Sequence, residues 1–308
     1  MRLATISVND KAVCAAVLSD GSMLNIAAAA AELDGTDRQA LNADTLKQVI
    51  AGGPAALDVV SGLIAKAEGG GLSGAILPKD TPLLAPIPEP GKNIFCIGRN
   101  YAEHIAEGDR AQKQSVGATE YPVVFTKPPT AIVPPGGDVL IFPQVSEAID
   151  YEVELTIVIG KPGRNISKDD AYDHVFGYTI LNDITARDIQ RRHGGQYFKG
   201  KGLDGSCPIG PWIVTADDIS DPQALAIGTK VNGEQRQDGN TRDMIFDIPT
   251  LIACISEGLT LEPGDMIATG TPSGVGYAME PPCYLKDGDT VICEIAEIGA
   301  LENKVRAV

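Results

Sequence analysis

The sequence predicts an α/β protein of the α+β kind, mostly β, in two units. Three observations carry this. Short apolar, β-branched runs recur along most of the chain, broken by glycine and proline, of which there are 34 and 21 in 308 residues. Helical patterns of useful length sit mainly near the N-terminus. A Pro-rich stretch at residues 83–91 (LLAPIPEPG) reads as a stiff linker. The expected units are residues 1–85, a small α+β domain, and residues 86–308, a larger domain of rolled, mixed β structure that carries the chemistry.

Taken in order, residues 3–8 (LATISV) and 12–18 (AVCAAVL) read as strands, Asp20-Gly21 as a turn, and residues 23–26 (MLNI) as a third strand. Residues 42–51 and 54–67 carry helical patterns, and three glycines at 69–71 end the second. No chemistry clusters in this unit, which reads as a cap or scaffold. Beyond the linker, residues 93–98 begin a buried strand. Further strands are expected at 122–126, 131–133, 139–142, 151–160, 175–182, 212–215, 225–232, 266–269 and 290–298. Helices are expected at 168–173, 185–191 and 249–257.

Composition narrows the function classes. Hydrophobic residues make up 44% and charged residues 21%, ordinary for a soluble globular enzyme. A net charge of −16 argues against nucleic acid or anionic membrane as partners. The six cysteines (Cys14, Cys96, Cys207, Cys254, Cys283, Cys293) are scattered without a CxxC pair, as expected of reduced thiols in a cytoplasmic protein. No apolar run reaches membrane-spanning length, and no signal peptide opens the chain.

The richest stretch is residues 149–190. Within YEVELTIVIG (151–160), alternation puts Glu152 and Glu154 on one strand face and Val153 and Leu155 on the other. Two such carboxylates repel each other, and a hard divalent cation would relieve that. Asp183, at the end of the next strand, is a candidate third ligand. Taken alone, an ExE on a strand is more often a solvated edge. His104 and Glu107 share one face of a helical turn, where the carboxylate can orient the imidazole for proton transfer. The polar residues 108–120 after them read as a mobile loop. Lys127 precedes two prolines and is therefore extended. Lys199 and Lys201 lie in FKGKG. Either could hold a carboxylate or polarise a carbonyl, and either could be an ordinary surface lysine. Arg187-Asp188 reads as a local ion pair. Thr271, flanked by glycines in TGTPSGVG, can bring a hydroxyl close to a bound anion, and the loop lacks the ending of a phosphate-binding P-loop. His174 and His193 have no motif around them.

Seven motifs in register resemble the fumarylacetoacetate hydrolase family: residues 98–107 (GRNYAEHIAE), 125–128 (FTKP), 152–154 (EVE), 183–190 (DITARDIQ), 201–208 (KGLDGSCP), 231–234 (VNGE) and 269–276 (TGTPSGVG). The resemblance covers about residue 93 to the C-terminus. It implies the family's β-roll, a short N-terminal domain as in many bacterial members, and a homodimer. It implies Mg²⁺, with Mn²⁺ or Ca²⁺ as substitutes, on Glu152, Glu154 and Asp183. It implies a His104–Glu107 dyad carried by a lid, Lys201 as the active-site lysine with Lys199 as the substitute, and Lys127, Gln190 and Thr271 near the substrate. The activity implied first is hydrolysis of a carbon–carbon bond in a 1,3-dioxo acid of the acylpyruvate or fumarylpyruvate type. Decarboxylation, or isomerisation and tautomerisation of an oxo-diacid such as oxaloacetate, is the alternative within the family. A non-catalytic, metal-stabilised scaffold is the alternative of another class.

Overall fold

The computed structural model describes residues 1–113 and 117–308. Its frame is a 12-stranded sheet whose main path runs Ile76–Leu77, Met23–Asn25, Lys11–Val17, Arg2–Val8, Cys207–Thr215, Val175–Asn182, Val153–Ile159, Met266–Ala268, Ile94–Gly98, Val123–Lys127. A second sheet of five strands runs Glu234–Asn240, Ala226–Val231, Thr290–Ile295, Gly299–Ala307, Asp138–Ile141. Most pairings are antiparallel. The parallel exceptions join Met266–Ala268 to Ile94–Gly98, Cys207–Thr215 to Ile132–Val133, and Gly299–Ala307 to Asp138–Ile141.

The strand Val153–Ile159 is buried along its whole length, so its alternation sorts side chains between two cores rather than between core and water. Val153, Leu155, Ile157 and Ile159 pack with Ile227, Val291, Ile295 and Leu301 of the five-stranded sheet. Val158 points the other way, into a core with Leu3, Leu24, Val49 and Val60. Glu154 and Thr156 share that second face by the period of two.

The first 85 residues continue the main sheet. Arg2–Val8 pairs antiparallel with Cys207–Thr215 through Arg2↔Val214 and Leu3↔Ile213. The helices Leu46–Ala51 and Gly53–Glu68 bury Leu46, Val49, Ile50, Val60 and Leu63 in the same core, and Thr45 caps the first by accepting from Gln48 N at 3.2 Å. Two further helices, Ile26–Ala30 and Gly35–Ala40, were not expected from the sequence. The expected linker packs instead of spanning free: Ala85, Pro86 and Ile87 are buried, and Thr5 Oγ1 donates to the Pro86 carbonyl at 2.7 Å.

Other elements differ from expectation too, among them the strand Glu234–Asn240 and the short helix Phe198–Lys201, neither of which was expected. Residues expected to loop from 108 onward continue the helix Ala102–Gln112, and residues 114–116 lie outside the described residues. The expected helix at 168–173 is a single 3₁₀ turn, Ala171–His174. The strand Gly299–Ala307 was overlooked, although its buried residues alternate from Leu301 through Asn303 to Val305.

One glycine fixes how closely the central strands approach. Gly177 pairs with Thr215, and a Cβ there would meet the Val214 carbonyl oxygen at 2.1 Å. Gly177→Ala should therefore lower stability by about 1–3 kcal/mol, the range for overpacking. Chemical denaturation reads this as a fall in midpoint. An unchanged midpoint would mean that the two strands can part without cost.

Candidate active site

The three predicted carboxylates converge. Glu152, Glu154 and Asp183 are all buried, and each offers an oxygen within 4.8 Å of the others, a cluster that could hold a metal ion. Glu152 immediately precedes the strand Val153–Ile159, and Glu154 is its second residue. Asp183 follows the end of its antiparallel partner Val175–Asn182, where Val153 lies opposite Asn182. The Asn182 side chain accepts from Glu152 N at 3.0 Å, and Glu152 O accepts from Asp183 N at 2.8 Å, so the turn is fixed from both strands.

Buried carboxylates need partners. Lys201 Nζ lies 2.6 Å from Glu152 Oε2 and 2.5 Å from Asp183 Oδ2. It stands at the end of the short helix Phe198–Lys201, with the Phe125 ring 5.1 Å away. Lys199, two residues earlier, is exposed. Lys127 is fully buried, 2.8 Å from Asp183 Oδ1, and donates to the carbonyls of Ile184 and Lys201. It stands against Asp183 and is not among the residues lining the cavity. Arg187 Nε lies 2.8 Å from Asp150 Oδ2 and its Nη2 2.6 Å from Glu152 Oε1, the latter an ion pair without hydrogen-bond alignment. The expected local pair with Asp188 does not form; Asp188 instead accepts from Ser146 Oγ at 2.6 Å.

This network leaves one carboxylate out. Lys127, Arg187 and Lys201 answer Asp150, Glu152 and Asp183, whereas Glu154 has no cation partner among the described residues and accepts only from Gly270 N at 2.8 Å. The ionisation follows. Burial opposes the charge on Glu152, but Lys201 and Arg187 outweigh it and hold that carboxyl down at about 2. For Glu154, burial and then the charges of Asp183 and Glu152 push it well above the usual carboxylate range. Burial also works against the charges of Lys201 and Arg187, yet their carboxylate neighbours raise both above their ordinary values. A hard divalent cation would supply the charge that Glu154 lacks, so the donor set fits such an ion.

The dyad forms as spaced. His104 Nδ1 lies 2.9 Å from Glu107 Oε1 on the helix Ala102–Gln112. Glu107 Oε2 accepts from Gly274 N at 2.9 Å, which pins this helix to the loop after Met266–Ala268. If Nδ1 carries the proton donated to Glu107, Nε2 is the ring nitrogen left for chemistry. A cavity of about 380 Å³ brings together His104, Glu152, Glu154, Arg187, Gln190, Lys201 and Thr271. Thr271 Oγ1 accepts from Gln237 Nε2 at 2.7 Å, which leaves its own proton free to donate. Gln190 Oε1 accepts from Arg187 Nη1 at 3.4 Å. His174 Nδ1 donates to the Lys161 carbonyl, 2.8 Å away, and is structural.

Sequence reasoning missed Asp150, Gln237 and Tyr277. Asp150 holds Arg187 and also accepts from the backbone of Gly276 and Tyr277 at 2.7 and 3.1 Å. Its neighbour Glu152 was the only signal near it. Tyr277 lies with its ring 4.3 Å from Arg187 Cζ and 5.0 Å from Arg191 Cζ.

The model of the fumarylacetoacetate (FAA) hydrolase C-terminal family matches residues 93–306. The chain belongs to the fumarylacetoacetate hydrolase family. It is 52% identical to oxaloacetate tautomerase YisK of Bacillus subtilis over 227 residues, 73% of each chain. It is 46% identical to the human mitochondrial oxaloacetate tautomerase FAHD2A over 232 residues, 75% of this chain and 71% of that one. Among solved structures, a fumarylacetoacetate hydrolase from Exiguobacterium antarcticum aligns over the whole of both chains with a TM-score of 0.80 and 39% identity. As a fumarylacetoacetate hydrolase family member the chain is an enzyme acting on a small molecule. Among the described residues, no helix is long and apolar enough to cross a membrane.

Proposed function

We propose that this enzyme is a divalent-metal-dependent tautomerase of a small oxo-diacid, with oxaloacetate as the substrate to test first. The observation that carries the reading is the 52% identity to oxaloacetate tautomerase YisK over nearly three quarters of both chains. The names of these relatives favour tautomerisation over the carbon–carbon hydrolysis that the sequence motifs suggested first. Glu152, Glu154 and Asp183 would hold Mg²⁺, with Mn²⁺ or Ca²⁺ as substitutes. When bound, the ion supplies Lewis acidity beside the 2-oxo carboxylate, which acidifies the neighbouring C3–H.

The chain's own groups do the rest. Ketonisation moves one proton from the C2 hydroxyl and delivers one to C3, with no net redox change. His104 Nε2 is the group assigned to carry a proton to or from C3, with Glu107 holding the ring in place. Thr271 and Gln190 orient the carboxylate end by hydrogen bonds, and Lys201 offsets charge on the enol oxygen. Lys127 is assigned a positioning role on Asp183. Residues 1–85 supply no lining group of the described cavity and are assigned a scaffold role, with 86–308 as the catalytic unit. A reducing, cytoplasm-like compartment suits the six unpaired cysteines, and the homodimer is carried over from the family resemblance.

The test is the loss of the enol's ultraviolet absorbance from fresh oxaloacetate, with and without Mg²⁺ after EDTA treatment. Pyruvate release from an acylpyruvate is followed in parallel. Accelerated ketonisation with little pyruvate release is the expected result. The reverse pattern would return the enzyme to the hydrolase reading, which the Exiguobacterium antarcticum structure favours.

A further inference from the structure

Four cationic side chains line the cavity: Arg99, Arg187, Arg191 and Lys201. Three are committed to carboxylates of the protein. Arg99 Nη2 lies 3.3 Å from Asp109, and Arg187 and Lys201 belong to the buried network. Arg191 has no carboxylate partner among the described residues. It stands in the last turn of the helix Arg187–Arg192, exposed at the rim, whereas Glu152, Glu154 and Lys201 form the buried floor. It is nonetheless ordered by stacking: its guanidinium carbon lies 5.0 Å from the centroid of the Tyr277 ring, which also receives Arg187 at 4.3 Å. Tyr277 is itself mostly buried, with its hydroxyl so close to Gly108 that a Cβ there would meet it at 2.5 Å. One ring therefore seats a free guanidinium beside the arginine that touches the metal-site carboxylate Glu152.

We propose that Arg191, seated on Tyr277, binds the second carboxylate of the substrate and so sets a preference for diacids over mono-acids. The inference rests on the tautomerase reading for its substrate class. The physical need is plain. A chain of net charge −16 repels a dianion, and the other cavity cations are already neutralised by its own carboxylates. A guanidinium with its fork free matches a carboxylate in two hydrogen bonds. Stacking on the ring restricts the side chain beforehand, so less freedom is lost on binding. Tyr277 acts here as a positioning residue.

Oxaloacetate and 2-oxobutyrate form the matched pair of probes, because they differ only in a carboxylate replacing a methyl group at C4. Affinity of the Mg²⁺-loaded enzyme for each is measured by calorimetry, and C3 hydrogen exchange by NMR. The wild type is expected to bind oxaloacetate at least tenfold more tightly. Arg191→Gln should raise the Kd and KM for oxaloacetate about tenfold, leave kcat within about threefold, and leave 2-oxobutyrate unchanged. Arg192→Gln, in the same turn without a ring contact, should change neither. Tyr277→Leu should reproduce the lost preference, and Tyr277→Phe should restore it. A wild type without preference for the diacid, or an Arg191→Gln that weakens both probes equally or neither, would overturn the assignment. Failure of the wild type to ketonise oxaloacetate would sink the tautomerase reading alone, since the Arg191-dependent binding preference is read without turnover.

Discussion

Glu154→Gln should abolish Mg²⁺-dependent turnover while leaving the metal-free protein as stable as before or slightly more so. Among the described residues, Glu154 is the one cluster carboxylate without a cation partner, and burial already pushes it well above the usual carboxylate range. An amide of the same shape keeps the neutral form that the metal-free site favours, but it removes a hard anionic donor. Mg²⁺ affinity by calorimetry should fall by about a hundredfold or more, and with it the rise in melting temperature that Mg²⁺ gives the wild type. Glu152→Gln should differ. Lys201 and Arg187 both lose a partner there, so the metal-free protein should lose several kcal/mol, about the 3–5 kcal/mol seen when a buried pair is broken. Equal Mg²⁺ affinity in Glu154→Gln and wild type would remove Glu154 from the ligand set.

His104→Ala should cost about a hundredfold or more in kcat for ketonisation, the usual range for a lost general acid or base. Mg²⁺ affinity should stay within about twofold, because the ring is tied to Glu107 and stands outside the three-carboxylate cluster. Glu107→Gln should fall between, since the ring keeps a neighbour but loses a charged one, and the hold on Gly274 weakens. A His104→Ala enzyme with wild-type kcat would return the imidazole to a structural role and move proton transfer to another lining group.

Much of the site was legible because its residues advertise themselves locally. Alternation puts Glu152 and Glu154 on one face of a strand whatever lies around it, and Asp183 closes an apolar run. The spacing of His104 and Glu107 is the spacing of a helical turn. The missing parts are set by contacts distant in sequence. Arg187 reads as a partner of adjacent Asp188, and only the folded chain brings it to Asp150, 37 residues earlier. Lys127 was expected near the substrate, yet the pairing of Val123–Lys127 with Ile94–Gly98 ends inside the protein, where the side chain meets Asp183 behind the cavity lining. The helix Ala102–Gln112 was half hidden because GDRAQ is polar and only Ile105 and Gly108 of it are buried. Its register is held instead by Glu107 on Gly274, a contact that a pattern of apolar residues does not record.

The boundary proposed at residue 85 has a price for anyone who would shorten the gene. The N-terminal strands and helices fill one face of the main sheet, where Leu3, Leu24, Val49 and Val60 meet Val158, Leu181 and Ile213. Removing them would uncover those apolar side chains and leave the edge of Cys207–Thr215 unpaired around Ile213 and Val214, the kind of surface on which chains add to one another. A truncated catalytic fragment should therefore be recovered as aggregate rather than as a smaller enzyme, even though every proposed catalytic side chain would still be encoded in it.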